Sequence, residues 1–161
     1  MLKSVKIALV VSLIALASAC STTQEATKVA SVDATAPSSY DPINDPKSSV
    51  YGKRSVYFDF DKYSIKPEYQ SVITAHADYL KANKDKKANI LVQGNTDERG
   101  TTEYNLALGQ RRSEAVKKAL TLLGVDPAQI ESVSFGKEKP KSEGHDEAAW
   151  KENRRADIVY K

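Results

Sequence analysis

Four short runs of strand-forming residues, separated by two longer amphipathic segments, constrain the fold of this chain more than any other feature. The segments from Pro67 to Asn83 and from Thr101 to Gly124 carry apolar residues three and four positions apart, which predicts helices with one buried face. The order βαβαββ predicts an α/β (α+β) two-layer sandwich, with the helices packed on one mixed four-stranded sheet. A short helical turn is expected over 147–153. The predicted strands are 55–60, 88–93, 130–135 and 154–160.

The first nineteen residues have the layout of a secretory signal peptide. Lys3 and Lys6 precede an apolar run from Ile7 to Leu16, which is too short to span a bilayer as a stable helix. Cys20 follows Ala17-Ser18-Ala19 and is the one cysteine of the chain. The stretch resembles a bacterial lipobox, although its leucine lies one residue earlier than usual. We therefore expect lipidation of Cys20; cleavage at a small residue without lipid is the alternative.

Residues 21–50 are dominated by Ser, Thr, Ala, Asp and Pro and show no apolar periodicity. Such a composition is typical of a disordered tether, which for about thirty residues spans roughly 30 Å. The remaining segment, 51–161, is long enough for one ordinary hydrophobic core. The predicted organisation is therefore a signal peptide over 1–19, a lipidated N-terminus and tether over 20–50, and one folded domain over 51–161.

Composition and motifs argue against several classes of function. A net charge of +3 is too small to indicate a nucleic-acid partner. The two histidines, His76 and His145, are 69 positions apart without a zinc-binding pattern, and the sequence has no phosphate loop or nucleophile elbow. We expect no metal or other cofactor and no enzymatic activity. Asp61 and Asp97 leave glycan cleavage as one open alternative, and a protein-interaction module is another.

The loop Gly94–Gly100, with the sequence GNTDERG, lies between the second predicted strand and the second predicted helix. It is richer in polar groups than a simple connection requires, and it feeds a helix that carries Arg111 and Arg112 near its middle. Free backbone N–H groups at the start of that helix add donors for an anion. The loop and helix together predict a polar ligand site. The alternatives are an Asx turn at Asp97 and two solvated arginines.

Five ordered motifs in this sequence resemble the OmpA C-terminal-like domain family, the group that includes the peptidoglycan-associated lipoproteins. The resemblance covers nearly all of residues 51–161. One departure is Asn95, where many relatives carry His, although Asn supplies similar hydrogen-bonding atoms. The motifs are YFDFDKYSI, GNTDERGTTEYNLALGQRR, SFGKEKP, GHDEAAW and NRRADIVY.

The resemblance implies an outer-membrane lipoprotein with a periplasmic domain. Such a protein binds peptidoglycan non-covalently through meso-diaminopimelate of the stem peptide and ties the outer membrane to the cell wall. It acts in the Tol-Pal system during envelope constriction, with TolB and TolA as partners. The anchor implied at Cys20 is an N-acyl and S-diacylglycerol lipid. The basic segment Gly136–Lys141 is a candidate partner surface.

The resemblance also assigns site residues. Asp97 would accept the ammonium of diaminopimelate and Arg112 would bind its carboxylate, although Arg112 lies roughly 15 Å into its helix, so the loop must run back beside it. Arg111 is expected to be the more exposed arginine, and Ala substitution of Asp97, Arg111 or Arg112 is expected to leave the fold intact. Arg154 and Arg155 are expected to be structural, and His76 to be packed. The further expected pocket residues are Phe60, Asp61, Asn95, Thr96, Leu106, Ala107 and Gln110.

Overall fold

Helices and strands alternate along the part of the chain that the computed structural model describes, residues 41–84 and 88–161. Short 3₁₀ turns at Pro67–Tyr69 and Pro127–Gln129 precede α1 and β3. The segment 147–153 forms a two-turn helix, as expected. The elements are β1 Ser55–Tyr57, α1 Gln70–Ala82, β2 Ile90–Asn95, α2 Thr102–Leu122, β3 Ile130–Gly136, α3 Glu147–Asn153 and β4 Arg155–Tyr160.

The four strands form one mixed sheet in the order β1-β4-β2-β3. Strand β4 pairs antiparallel with both β1 and β2, whereas β2 and β3 pair in parallel. A parallel pair needs a crossover connection, which α2 supplies. The predicted fold class, helices packed on one mixed four-stranded sheet, is confirmed.

The helices bury the faces that the apolar spacing predicts. Helix α1 buries Ile73 and Leu80, and α2 buries Val116 and Leu120, in one cluster with apolar strand residues such as Ile158. Local signals set the ends of α2, because the Thr101 side chain accepts a hydrogen bond from the Tyr104 N–H at 3.2 Å. Gly124, at φ +89°, follows the end of the helix. Within the described residues, no helix is long and apolar enough to cross a membrane.

The segment 41–50 belongs to the folded domain. Ile43 and Val50 are buried in the main core, and the Gly52 N–H donates to the Ile43 carbonyl at 3.0 Å. The prediction of a tether as far as residue 50 is therefore wrong for 41–50. The segment folds as a series of turns, so its buried apolar residues show no helical or strand periodicity in the sequence. The signal peptide, Cys20 and residues 21–40 lie outside the described residues.

Candidate ligand-binding site

A cavity of about 250 Å³ lies between the loop that follows β2, the first half of α2 and the segment that follows β1. Asp97 and Arg112, which the sequence places fifteen residues apart, both line it. The loop therefore does run back beside the helix. The lining residues are Phe60, Asp61, Thr96, Asp97, Arg99, Gly100, Tyr104, Asn105, Leu108 and Arg112.

Asp97 is a buried carboxylate that receives hydrogen bonds from two arginines. Its Oδ1 accepts from the backbone N–H of Arg99 at 3.1 Å and from Arg99 Nε at 3.3 Å. Its Oδ2 accepts from Arg99 Nη2 at 2.7 Å and from Arg154 Nη1 at 3.4 Å. Burial opposes ionisation, but the hydrogen bonds and charge of Arg99, followed by Arg154, outweigh it and lower the pKa of Asp97. The Asx turn is therefore present, and the same carboxylate also faces a cavity.

Arg112 is fully buried and ties its helix to two other backbone segments, the one that follows β1 and the end of β2. Its Nε donates to the Lys62 carbonyl at 2.9 Å, its Nη1 to the Asn95 carbonyl at 2.8 Å, and its Nη2 to the Asp59 carbonyl at 3.2 Å. Burial lowers the pKa of Arg112 to about 10, against the opposing charge of Asp97, so the side chain stays charged at neutral pH. Arg111 is less buried and stacks on Tyr63 and Tyr104, in agreement with the expectation.

The hydrogen bonds of Arg112 leave part of its binding capacity unused. A guanidinium has five N–H groups, and three of those in Arg112 have the carbonyl acceptors named above. Arg112 forms no ion pair with any carboxylate in the described part of the chain. The cavity wall thus holds a buried positive charge, and two of its N–H groups have no acceptor within the described residues.

Arg99 is a site residue that the sequence reasoning did not single out. Its guanidinium lies between two aromatic rings, 4.1 Å from the ring centre of Phe60 and 4.0 Å from that of Trp150. The same guanidinium pairs with Asp97 through two nitrogens. The two-residue spacing of Asp97 and Arg99 could have indicated that the two side chains pair. Nothing in the neighbouring sequence indicated that Trp150 would stack on Arg99.

The segment after β1 brings the predicted residues Phe60 and Asp61 to the cavity. Phe60 is 56% exposed, so its ring forms part of the rim. Asp61 has φ +57°, a left-handed conformation that Asp tolerates better than most residues, and its carboxylate accepts a hydrogen bond from the Tyr104 hydroxyl. Tyr104 is a second lining residue that the sequence reasoning missed.

On the loop side, Thr96 lines the cavity as expected, and its N–H donates to the Gly136 carbonyl at 2.8 Å. Asn95 contributes its main-chain carbonyl to Arg112 rather than a side chain to the cavity lining. The Asn95 side chain is buried and donates to the Gln93 carbonyl, while its Oδ1 has no hydrogen-bond partner within the described residues.

The predicted helix lining needs a correction. The lining of the cavity contains Asn105 and Leu108, but not Leu106, Ala107 or Gln110. Successive residues of a helix turn by about 100°, so the face that carries Leu108 and Arg112 turns Leu106 and Ala107 away, and both are exposed. Gln110 instead donates to the Glu114 carboxylate. Residues of α2 that face the cavity are three or four positions apart, whereas the predicted set included the neighbouring positions 106 and 107.

Arg154 joins the end of α3 to the site. Its Nε donates to the Phe58 carbonyl at 3.2 Å and its Nη2 to Glu147 Oε1 at 2.6 Å, in addition to the Asp97 contact. Arg155 pairs with Asp157 at 2.9 Å. Both contacts agree with the expected structural role of these arginines. No group of three or more His, Cys, Asp or Glu residues suited to a metal ion occurs among the residues that the structure describes.

The fold and the site define a small α/β domain with a cavity whose lining includes one buried carboxylate and one buried guanidinium. The chain belongs to the OmpA family, whose sequence profile matches residues 57–154.

Individual relatives support this assignment. The chain is 55% identical over 106 residues to the peptidoglycan-associated lipoprotein of Pasteurella multocida strain Pm70, covering 66% of this chain and 69% of the relative. It is 57% identical to the protein of the same name from Haemophilus influenzae, covering 66% and 68%.

Solved structures of related proteins have the same fold. The crystal structure of the peptidoglycan-associated lipoprotein from Burkholderia pseudomallei is similar with a TM-score of 0.70 at 63% identity, covering 75% of this chain and all of that one. The C-terminal domain of Helicobacter pylori MotB shares the fold, with a TM-score of 0.61 at 22% identity, covering 67% of this chain and 83% of that one.

Proposed function

We propose that this domain binds peptidoglycan non-covalently through meso-diaminopimelate of the stem peptide. The observation that carries the proposal is that Asp97 and Arg112, both buried, line one cavity of about 250 Å³. The free end of meso-diaminopimelate carries an ammonium and a carboxylate on one carbon. A receptor for that end needs one anion and one cation close together, and the cavity supplies both.

The two poles differ in their chemistry. Arg112 has two N–H groups without an acceptor in the described chain, enough for a two-pronged contact with a carboxylate. Because Arg112 is already fixed by three carbonyls, little side-chain entropy is lost when it binds a ligand. A lysine-type stem peptide lacks this carboxylate and would leave Arg112 without a partner, which gives discrimination between wall types.

The site favours binding over catalysis. Glycan cleavage by a carboxylate pair needs one protonated acid at working pH, which requires a raised pKa. Asp97 has a lowered pKa and accepts four hydrogen bonds, so it is unsuited to donate a proton. Relatives that are more than half identical over 106 residues of this chain carry the name peptidoglycan-associated lipoprotein, which supports a binding role.

In this proposal the domain is periplasmic and held to the outer membrane by lipid on Cys20. Two or more acyl chains give stable attachment, where a single chain would be marginal. The protein then ties the outer membrane to the cell wall as part of the Tol-Pal system in envelope constriction and integrity, with TolB and TolA as protein partners. Mass spectrometry of the mature N-terminus tests the anchor; an unmodified Cys20, or a start elsewhere, contradicts it.

Isothermal titration with a diaminopimelate-type and a lysine-type stem peptide tests the ligand. We expect the wild type to prefer the first, and Asp97→Asn, which keeps the shape but removes the charge, to bind it roughly thirty-fold more weakly, equivalent to about 2 kcal/mol. Glu138→Gln removes an exposed carboxylate and serves as the matched control. Equal wild-type affinity for the two peptides contradicts the role of Arg112, and unchanged affinity in Asp97→Asn contradicts that of Asp97.

A further inference from the structure

The carboxylate of Asp97 has no acceptor position left for a ligand in this structure. A carboxylate offers about four lone-pair positions, and Asp97 accepts four N–H contacts, three from Arg99 and one from Arg154. A ligand ammonium that binds Asp97 must therefore replace at least one of these contacts.

The two arginines differ in how easily they can be replaced. The Arg154 side chain is 4% exposed and is also held by the Phe58 carbonyl and by Glu147. The Arg99 side chain is 33% exposed. Beyond Asp97, the partners of its guanidinium among the described residues are two ring faces and a second carboxylate, Glu147 Oε2, at 4.0 Å. Arg99 can leave Asp97 without losing a buried carbonyl acceptor, whereas Arg154 cannot.

We infer that Arg99 is an internal cation that occupies the place of the ligand's ammonium on Asp97. Ligand binding then replaces the guanidinium of Arg99 with the ammonium. The ammonium replaces the Arg99 guanidinium on Asp97, so that both its Nη2 contact to Oδ2 and its Nε contact to Oδ1 are lost. The guanidinium, still between Phe60 and Trp150, then pairs with Glu147. This inference rests on the proposed function and deepens it, because it makes Arg99 the residue that sets both the affinity and the requirement for a charged amine.

The exchange has a consequence for selectivity. While Arg99 is on Asp97, the buried carboxylate has two cationic partners, so a ligand without a positive charge that displaced Arg99 would leave Asp97 with Arg154 as its one remaining cation among the described residues. A neutral ligand gains nothing from displacing Arg99. The competition also lowers the affinity for the charged ligand, since the Arg99 contact must be broken first.

A cycle of protein variant and ligand variant tests the exchange by isothermal titration. One ligand is the diaminopimelate-type stem peptide; the other is the same peptide with the free amino group acetylated, which removes the ammonium and keeps the carboxylate. Arg99→Gln should bind the first about fivefold more tightly than wild type and gain nothing with the second. Arg111→Gln is the matched control, since it removes an arginine that stacks on Tyr63 and Tyr104 and does not contact Asp97, and it should show no gain.

Each outcome decides the inference. Weaker or equal binding of the charged peptide by Arg99→Gln overturns it, and so does an equal gain with the acetylated peptide. If wild type binds the diaminopimelate-type peptide and Arg99→Gln shows no gain, only the exchange fails. If wild type binds neither peptide, the proposed function fails and the exchange fails with it.

A second measurement uses the unaltered protein. The Arg99 Nε–H donates to Asp97 in the free state, so its ¹⁵N–¹H resonance should shift on saturation with the charged peptide. Saturation with the acetylated peptide should leave it in place. A resonance that does not respond to the charged peptide overturns the exchange whatever the variants show.

Discussion

Gly94 and Gly109 bring the backbones of β2 and α2 into direct contact. A Cβ atom on Gly94 would lie 1.8 Å from the Gly109 carbonyl oxygen, and one on Gly109 would lie 2.2 Å from Ser134 Oγ. Asp97 follows Gly94 by three residues, and Arg112 follows Gly109 by three. This glycine contact therefore fixes how close the acidic loop lies to the basic residue of the helix.

Gly94→Ala is expected to destabilise the domain by about 3 kcal/mol or more, because a methyl group cannot enter without separating α2 from the sheet. Chemical denaturation gives the change in unfolding free energy. Gly52→Ala is the control: a Cβ there meets nothing within 4 Å, although φ is +70°, so only backbone strain of about 1 kcal/mol applies. Equal losses in the two variants would contradict the close contact.

Arg112→Ala is expected to destabilise the fold as well as to abolish binding. Truncation removes the donor from three carbonyls, those of Lys62, Asn95 and Asp59, and we expect a loss of about 3 kcal/mol in urea denaturation. The sequence-based expectation that the fold tolerates this change assumed a side chain outside the core, whereas Arg112 is fully buried. Arg111→Ala is the matched control and should change stability by less than about 0.5 kcal/mol. A stable Arg112→Ala domain would show that the carbonyls find other donors.

His76 is expected to make the domain less stable in mild acid. Its Nε2–H donates to the Lys53 carbonyl at 2.6 Å, so its Nδ1 accepts from the Tyr160 hydroxyl at 2.9 Å and the ring is neutral. Burial lowers the pKa of His76 from 6.5 to about 4. Between these values the unfolded chain binds a proton that the folded domain does not, so stability falls as pH drops from 6.5 towards 4, by about 3 kcal/mol in total.

Denaturation at several pH values measures this slope, and NMR titration of the ring gives its pKa directly. His76→Gln should remove the slope in this window. His145→Gln, which changes a largely exposed histidine beside Glu98, should leave it intact. A ring that titrates near pH 6.5 in the folded domain would contradict the buried neutral form.

Ile43 and Val50 are expected to contribute to stability as core residues do. Ile43→Ala should cost about 2–4 kcal/mol, with a matching fall in melting temperature, because both side chains are buried in the main cluster. Lys47→Ala, in the same segment but exposed, is the control. Deletion of residues 21–30 is still predicted to leave the melting temperature nearly unchanged. A tolerated Ile43→Ala would mean that 41–50 is not held by its apolar contacts.

The sequence by itself determined the elements and the fold class, because the signals for them are local. Apolar spacing located α1 and α2, β-branched and aromatic runs located the strands, and the order of elements led to one mixed sheet. The ends of α2 are local features too, because the cap at Thr101 and the turn at Gly124 involve only neighbouring residues. The residue pair Asp97 and Arg112 came from the resemblance of motifs rather than from any calculation of distance.

Tertiary structure alone decided how the site is built, because its contacts join residues far apart in the chain. Arg99 lies between Phe60 and Trp150. The three residues come from three separate segments, and no periodicity relates them. The burial of Arg112 depends on carbonyls some fifty residues earlier. The packing of Ile43 likewise depends on a core assembled from the rest of the domain. Such contacts form only once the sheet and helices are packed, so local patterns in the sequence carry no record of them.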